Sequence, residues 1–263
     1  MSFILPHIPK RPKRPREKGL TMVMDKGLSL REAEDLIQSS ADLIDLVKLG
    51  FGTSYVTNNL KEKIQIYQKA GCKVYLGGTL FEAFLVRNMI KEYKKLLLDL
   101  GLDTLEISDG SISLSHQRKC KLITEFSKDF TVLSEVGSKE EGIFISPAKW
   151  ISMMSKELEA GSWKVIAEAR ESGTVGIYRP NGTAHSALVN KILKNVPKAD
   201  ILWEAPIKGQ QVWFIKLLGA NVNLGNIAPN EVIALECLRL GIRGDTFFDY
   251  LPKDIVAKSI QKH

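Results

Sequence analysis

Histidine and cysteine are scarce in this chain of 263 residues, with four of the first and three of the second. Cys72, Cys120 and Cys237 are far apart and odd in number, which argues against a disulfide framework or a thiolate metal cluster and leaves reduced packing residues. His7, His116, His185 and His263 are scattered, so no histidine metal site is suggested. No apolar run approaches the roughly 20 residues that cross a bilayer. Residues 1–19 have no continuous apolar segment of the signal-peptide type, so the expectation is a cytoplasmic protein with no membrane contact. The fingerprint GxGxxG is missing after the first expected strand, where DKGLSL stands, and this argues against an open dinucleotide-binding sheet.

Charge is present in excess of one sign, +7 net with a pI near 9.2. An excess of this kind favours anionic ligands and makes nucleic acid the partner to test. Much of it sits in Lys10, Arg11, Lys13, Arg14, Arg16 and Lys18, interleaved with Pro12 and Pro15. That pattern reads as a stiff, solvated basic arm over residues 1–18 rather than a folded groove. Without the arm the chain is near neutral, and zinc-finger, helix-turn-helix and aromatic RNA-binding signatures are missing, so no nucleic-acid partner is expected.

The remaining residues, 19–263, match the roughly 250 expected of one α/β barrel, with no linker to divide them. Apolar runs that read as strands cover residues 21–25, 43–49, 73–76, 104–108, 130–136, 163–173, 201–204 and 221–224. Between them lie helical patterns, among them a capping box at Ser29 and Glu32, one long helix over 80–100, and a helix opened by Pro147 after Ser146. A terminal helix is expected within the tail, 247–263. Eight strands alternating with eight helices are the pattern of a TIM (β/α)8 barrel.

In such a barrel, chemistry gathers at the C-terminal ends of the strands. The strand ends here carry ionisable groups inside apolar runs, as in LIDLVKLG, TLEISDG, TVLSEVGSK, WKVIAEARESG and DILWEAP. Alternation assigns Lys48, Glu106, Ser108, Glu168, Arg170 and Glu204 to the inward face; Glu135 and Asn223 are compatible with it, depending on register. Carboxylates that converge repel one another unless a cation lies between them, and an oxygen-rich donor set suits magnesium better than zinc. Lys48, Lys139, Arg170 and Lys208 ask for an anionic substrate.

The segments RPREKGLT, VKLGFGTS, GGTLFE, EISDG, SEVGSK, EARESG, WEAP, NVNLGNI and LRLGIRGDT run in order from Arg14 to Thr246. In them the chain resembles the phosphosulfolactate synthases of coenzyme M biosynthesis, with their bacterial and plant heat-stress-associated relatives. The resemblance implies a magnesium-dependent barrel enzyme that adds sulfite to phosphoenolpyruvate, giving (2R)-phospho-3-sulfolactate. It implies Lys139 as proton donor with Lys48 second, and magnesium held by Glu106, Glu135 or Glu168. Arg170 and Lys208 would hold phosphate and carboxylate, Asn223 and Asn226 would supply neutral hydrogen bonds, and Glu204 is placed with the substrate-binding group. A homo-oligomer is also implied. Two other readings stay open: a barrel acting on a different small phosphorylated anion, and a non-catalytic stress-associated protein.

Overall fold

The computed structural model describes residues 4–137, 145–169 and 172–259. Eight strands carry the fold: β1 Thr21–Asp25, β2 Leu46–Leu49, β3 Lys73–Leu76, β4 Thr104–Ile107, β5 Thr131–Val136, β6 Lys164–Ala167, β7 Ile201–Glu204 and β8 Leu224–Ile227. All seven observed pairings are parallel, in the order β3-β2-β1-β8-β7-β6-β5-β4. This is the expected TIM barrel, nearly closed, with its seam between β3 and β4. At the top of that seam the Gly78 amide donates to Glu106 Oε1 at 2.9 Å.

The surrounding helices are α1 Leu30–Ser40, α2 Thr53–Val56, α3 Leu60–Lys69, α4 Gly78–Leu85, α5 Ile90–Asp99, α6 His116–Phe126, α7 Pro147–Glu159, α8 Ser186–Leu193, α9 Lys208–Leu218, α10 Val232–Arg239 and α11 Lys253–Ser259. The capping box closes as expected, Ser29 Oγ accepting from the Glu32 amide and Glu32 accepting from the Ser29 amide. The single helix expected over 80–100 is in fact two. Asn88 adopts a left-handed backbone, φ 56°, and the Met89 amide returns to the Phe84 carbonyl, ending α4. Asparagine tolerates that conformation, and the turn sets Phe84 against Tyr93 with ring centroids 5.3 Å apart.

Alternation along the strands divides the core. Val23, Val47, Val74, Leu105, Val132, Val165 and Trp203 face outward into the main apolar cluster beneath the helices. Leu20, Met22, Leu46, Tyr75, Leu133, Ile166 and Leu202 form a second, separate cluster inside the barrel. These apolar side chains fill the barrel's lower half, so it is a packed core and not a pore.

The basic arm is solvated only in part: Lys10, Lys13 and Lys18 are exposed, while its arginines are docked on the barrel. Arg16 makes a two-pronged contact with Asp45, each prong 2.9 Å, and Arg11 Nε lies 2.8 Å from Glu236. Arg14 donates to the carbonyls of Ala41 and Ala70. Fully buried Arg239 donates to the carbonyls of Ala220, Val222 and Leu20. Apart from Glu236 on α10, these partners precede β1, β2, β3 and β8, so Arg11, Arg14 and Arg16, together with Arg239, fix the arm across the N-terminal end of the barrel. Paired guanidinium groups satisfy carbonyls that the strand starts leave open.

Candidate active site

On four strands the side chain two residues above the apolar interior layer is ionisable. Leu46 is followed inward by Lys48, Leu133 by Glu135, Ile166 by Glu168, and Leu202 by Glu204. On β4 Thr104 is followed by Glu106. Because inward positions recur every second residue, this switch lifts five charged groups to the C-terminal end of the barrel.

Lys48 stands at the centre. Its Nζ is 2.9 Å from Glu106 Oε2, 3.4 Å from Glu135 Oε2 and 3.4 Å from Glu204 Oε1. All four residues are at most 5% exposed. A buried charge is costly unless paired and hydrogen-bonded, and here one ammonium compensates three carboxylates. Burial alone would lower the Lys48 pKa; the three carboxylates outweigh it and hold the pKa well above the ordinary lysine value. Burial pushes Glu204 up to about 8 against the opposing pull of Lys48, with Glu135 and Glu106 adding repulsion. The cluster therefore keeps Lys48 as an ammonium, and Glu204 is a carboxyl ready to carry a proton at neutral pH.

A cavity of about 360 Å³ opens above the cluster, lined by Met24, Lys48, Phe51, Gly78, Thr79, Glu106, Glu135, Ala169, Ser172, Glu204 and Asn226. Gly78 is a requirement of its rim: a Cβ there would lie 2.2 Å from Ser108 Oγ and 2.4 Å from Glu106 Oε1. Only glycine lets the start of α4 approach the Glu106 carboxylate so closely. Asn226 reaches the cavity from a left-handed backbone, φ 56°, and its Nδ2 donates to the Ala169 carbonyl at 3.3 Å. Glu204 Oε2 accepts from the Ala169 amide at 2.8 Å. The Ala169 peptide is thus held on both sides where the chain leaves β6.

The structure brings Lys48, Glu106, Glu135, Glu204 and Asn226 together, and places other expected site residues elsewhere. Asn223 belongs to the opposite end. Its Oδ1 accepts from the Leu20 amide at 3.1 Å, and its Nδ2 donates to the carbonyls of Ala199 and Ile201 at 2.9 and 3.1 Å. The cause is register: β8 starts at Leu224, three residues later than expected, because residues 220–222 serve the guanidinium groups below. Lys208 opens α9 on the surface, exposed and paired with Asp245 at 3.2 Å. Glu168 is buried beside Gly137, where a Cβ would lie 2.8 Å from Glu168 Oε2, and it is not among the cavity-lining residues. Lys139 and Arg170 lie outside the described residues. Phe51 and Thr79 were not expected; the Gly50–Gly52 and Gly77–Gly78 turns that present them were the available signal.

For a divalent cation the donor set is partial. Among the described residues no group of three His, Cys, Asp or Glu side chains is arranged to hold a metal ion. The position between Glu106, Glu135 and Glu204 is taken by the Lys48 ammonium. Glu106 and Glu135 fit a magnesium ion held by one or two carboxylates and completed by substrate oxygens and water, a common arrangement for that ion. They do not make an all-protein cage.

Residues 9–245 match the family described as (2R)-phospho-3-sulfolactate synthase (ComA). The chain belongs to the phosphosulfolactate synthase family. It is 42% identical over 245 residues to a phosphosulfolactate synthase of Methanothermobacter thermautotrophicus, covering 90% of this chain and 95% of that one. It is 40% identical over 244 residues to the phosphosulfolactate synthase of Bacillus subtilis, covering 92% and 97%. A more distant relative is HEAT-STRESS-ASSOCIATED 32 of Arabidopsis thaliana, 22% identical over 260 residues, covering 87% and 88%. Among solved structures, 3-hexulose-6-phosphate synthase of Salmonella typhimurium superposes with a TM-score of 0.53 at 17% identity, covering 85% of this chain and all of that one, and this shows the fold alone. Family membership makes the chain a lyase-type enzyme. The family's arm-to-tail span includes the residues that clamp the barrel floor as well as those at its mouth.

Proposed function

We propose that this enzyme adds sulfite to phosphoenolpyruvate to give (2R)-phospho-3-sulfolactate, with magnesium as cofactor. One observation carries the reading beyond family membership: the buried Lys48 cluster at the mouth of the barrel, in a cavity of about 360 Å³. Replacing a buried ion cluster with apolar residues is often neutral or stabilising. A barrel kept only for its fold has no need of one.

In the proposed reaction the sulfur lone pair of sulfite forms a bond to C3 of phosphoenolpyruvate. The C2–C3 π pair moves toward C2 and its charge spreads onto the carboxylate; a proton then reaches C2. The phosphate ester stays intact. Lys48 contributes a fixed positive charge beside the developing negative charge, since electrostatic stabilisation works best when the charged group is held in place beforehand. Its raised pKa makes it a poor proton donor, and the family resemblance supports Lys139, outside the described residues, in that role. The second rank given to Lys48 as donor thus becomes an electrostatic role. Ser172, Thr79 and Asn226 offer neutral hydrogen bonds at the walls. Glu106 and Glu135 would hold magnesium together with substrate oxygens; the ion, when bound, supplies Lewis-acid stabilisation of the carboxylate charge.

The test is phosphorus NMR of phosphoenolpyruvate and sulfite incubated with the enzyme, in magnesium and in chelator. A new phosphate-ester resonance that needs sulfite, enzyme and magnesium supports the proposal. Unchanged phosphoenolpyruvate in magnesium, with the protein folded, overturns it.

A further inference from the structure

A second buried lysine lies outside the barrel wall, behind the site. Lys119, on α6, is fully buried on the same helix face as Leu122, Ile123 and Phe126, an uncommon place for lysine. Its Nζ is 2.9 Å from Asp109 Oδ1 and 3.0 Å from Glu157 Oε1, and it also donates to the main-chain carbonyl of Glu135. Glu157 is itself fully buried on α7 and is shared with His116 Nε2 at 3.2 Å.

These contacts join three pieces of the molecule. Asp109 follows β4, two residues beyond Ile107, in the segment that continues from Glu106. Glu135 is the fifth residue of β5 and contacts Lys48 at the mouth. Glu157 lies on α7, the helix that follows β5. Burial alone would lower the Lys119 pKa; Glu157 and Asp109 reverse this and hold it above the ordinary value. With Asp109, Glu157 and the Glu135 carbonyl all at hydrogen-bond distance, the ammonium donates three ways. A neutral packing residue would fill the space but leave the Glu135 carbonyl and two carboxylates without it.

We propose that Lys119 is a positioning residue for the reaction, fixing the Glu135 main chain so that its carboxylate stays in register with Lys48 and the cavity. It touches no reacting atom. Its influence passes through the Glu135 peptide, one residue before the end of β5. The proposal rests on the reading of the cavity as the site of sulfite addition for its kinetic consequence, and on the geometry alone for its structural one.

The experiment compares wild type, Lys119→Met and Lys119→Met/Glu157→Gln. The single variant strands a buried carboxylate and will lose thermal stability; the double variant removes both charges of that pair and should recover most of it. If Lys119 positions Glu135, kcat in the stable double variant stays down by about tenfold to a hundredfold, the scale of an ångström-sized misplacement, with KM for phosphoenolpyruvate nearly unchanged. A crystal structure of the double variant should show the Glu135 carboxylate moved from the 3.4 Å it keeps to Lys48. Recovery of kcat together with stability, or an unmoved Glu135, overturns the proposal. Absence of turnover in wild type would sink the sulfite reading instead, and the crystallographic arm would still decide the role of Lys119.

Discussion

Replacing Lys48 by methionine tests the cluster most sharply, because methionine keeps an unbranched chain one atom shorter and removes the charge. The ammonium lies within 3.4 Å of three buried carboxylates. Removing one partner from a buried ionic group costs about 3 to 5 kcal/mol, since the charges left behind are uncompensated. The carboxyls can relieve that cost by taking up protons, so loss of the ammonium will push their folded-state pKa values upward. A group of that kind stabilises the fold fully below its unfolded pKa and loses the contribution as pH rises through its folded pKa. The deficit of Lys48→Met should therefore be small near pH 5 and approach the full figure near pH 8. Urea unfolding of wild type and variant at the two pH values measures it. A deficit below about 1 kcal/mol at pH 8, or one of equal size at both pH values, would refute the argument that Lys48 holds three buried charges together.

Three further outcomes are expected. Glu204, pushed up to about 8, binds a proton in the fold that the unfolded chain releases near 4.5, so wild-type stability should fall by up to about 1.4 kcal/mol per pH unit across that window; Glu204→Gln should flatten the slope, as pH-resolved denaturation will show. Arg16→Met should destabilise by about 3 kcal/mol, because the Arg16 side chain is 3% exposed and grips Asp45, and a calorimetric loss of a few degrees at most would return the arm to solvent. Asn223→Ala should lower the melting temperature without changing KM, while Lys208→Ala should change neither kcat nor KM; steady-state kinetics that show a raised KM in either would bring that residue back to the substrate.

Much of this was legible in the sequence because the barrel imposes a period of two on each strand. Leu46 and Lys48, and Leu202 and Glu204, show the change from packing to charge within one alternation, which places each pair on one face; Leu133 and Glu135 follow the same pattern once the register of β5 is known. The failures have physical causes too. Asn223 lies on the same alternation, but β8 begins three residues later than its apolar run suggests, because the carbonyls before it are spent on Arg11 and Arg239. Arg11, Arg14 and Arg16 look identical in sequence whether solvated or clamped to Asp45 and Glu236; their partners lie more than 20 residues away. The break at Asn88 was hidden because helical apolar spacing continues on both sides of it. Lys119 shares helical spacing with Leu122, Ile123 and Phe126, so its burial was open to a reading of the period, but only the fold shows the acids around it.

The proposed reaction depends on the Lys48 cluster promoting addition of sulfite to phosphoenolpyruvate. The measurement that tests it most directly is a side-by-side phosphorus NMR time course of wild type and Lys48→Met with both substrates and magnesium, at a pH where both are folded. The account predicts a sulfite-dependent phosphosulfolactate resonance in the wild type and its loss, or near loss, in the variant. Equal product in both, or none in the wild type, would contradict it.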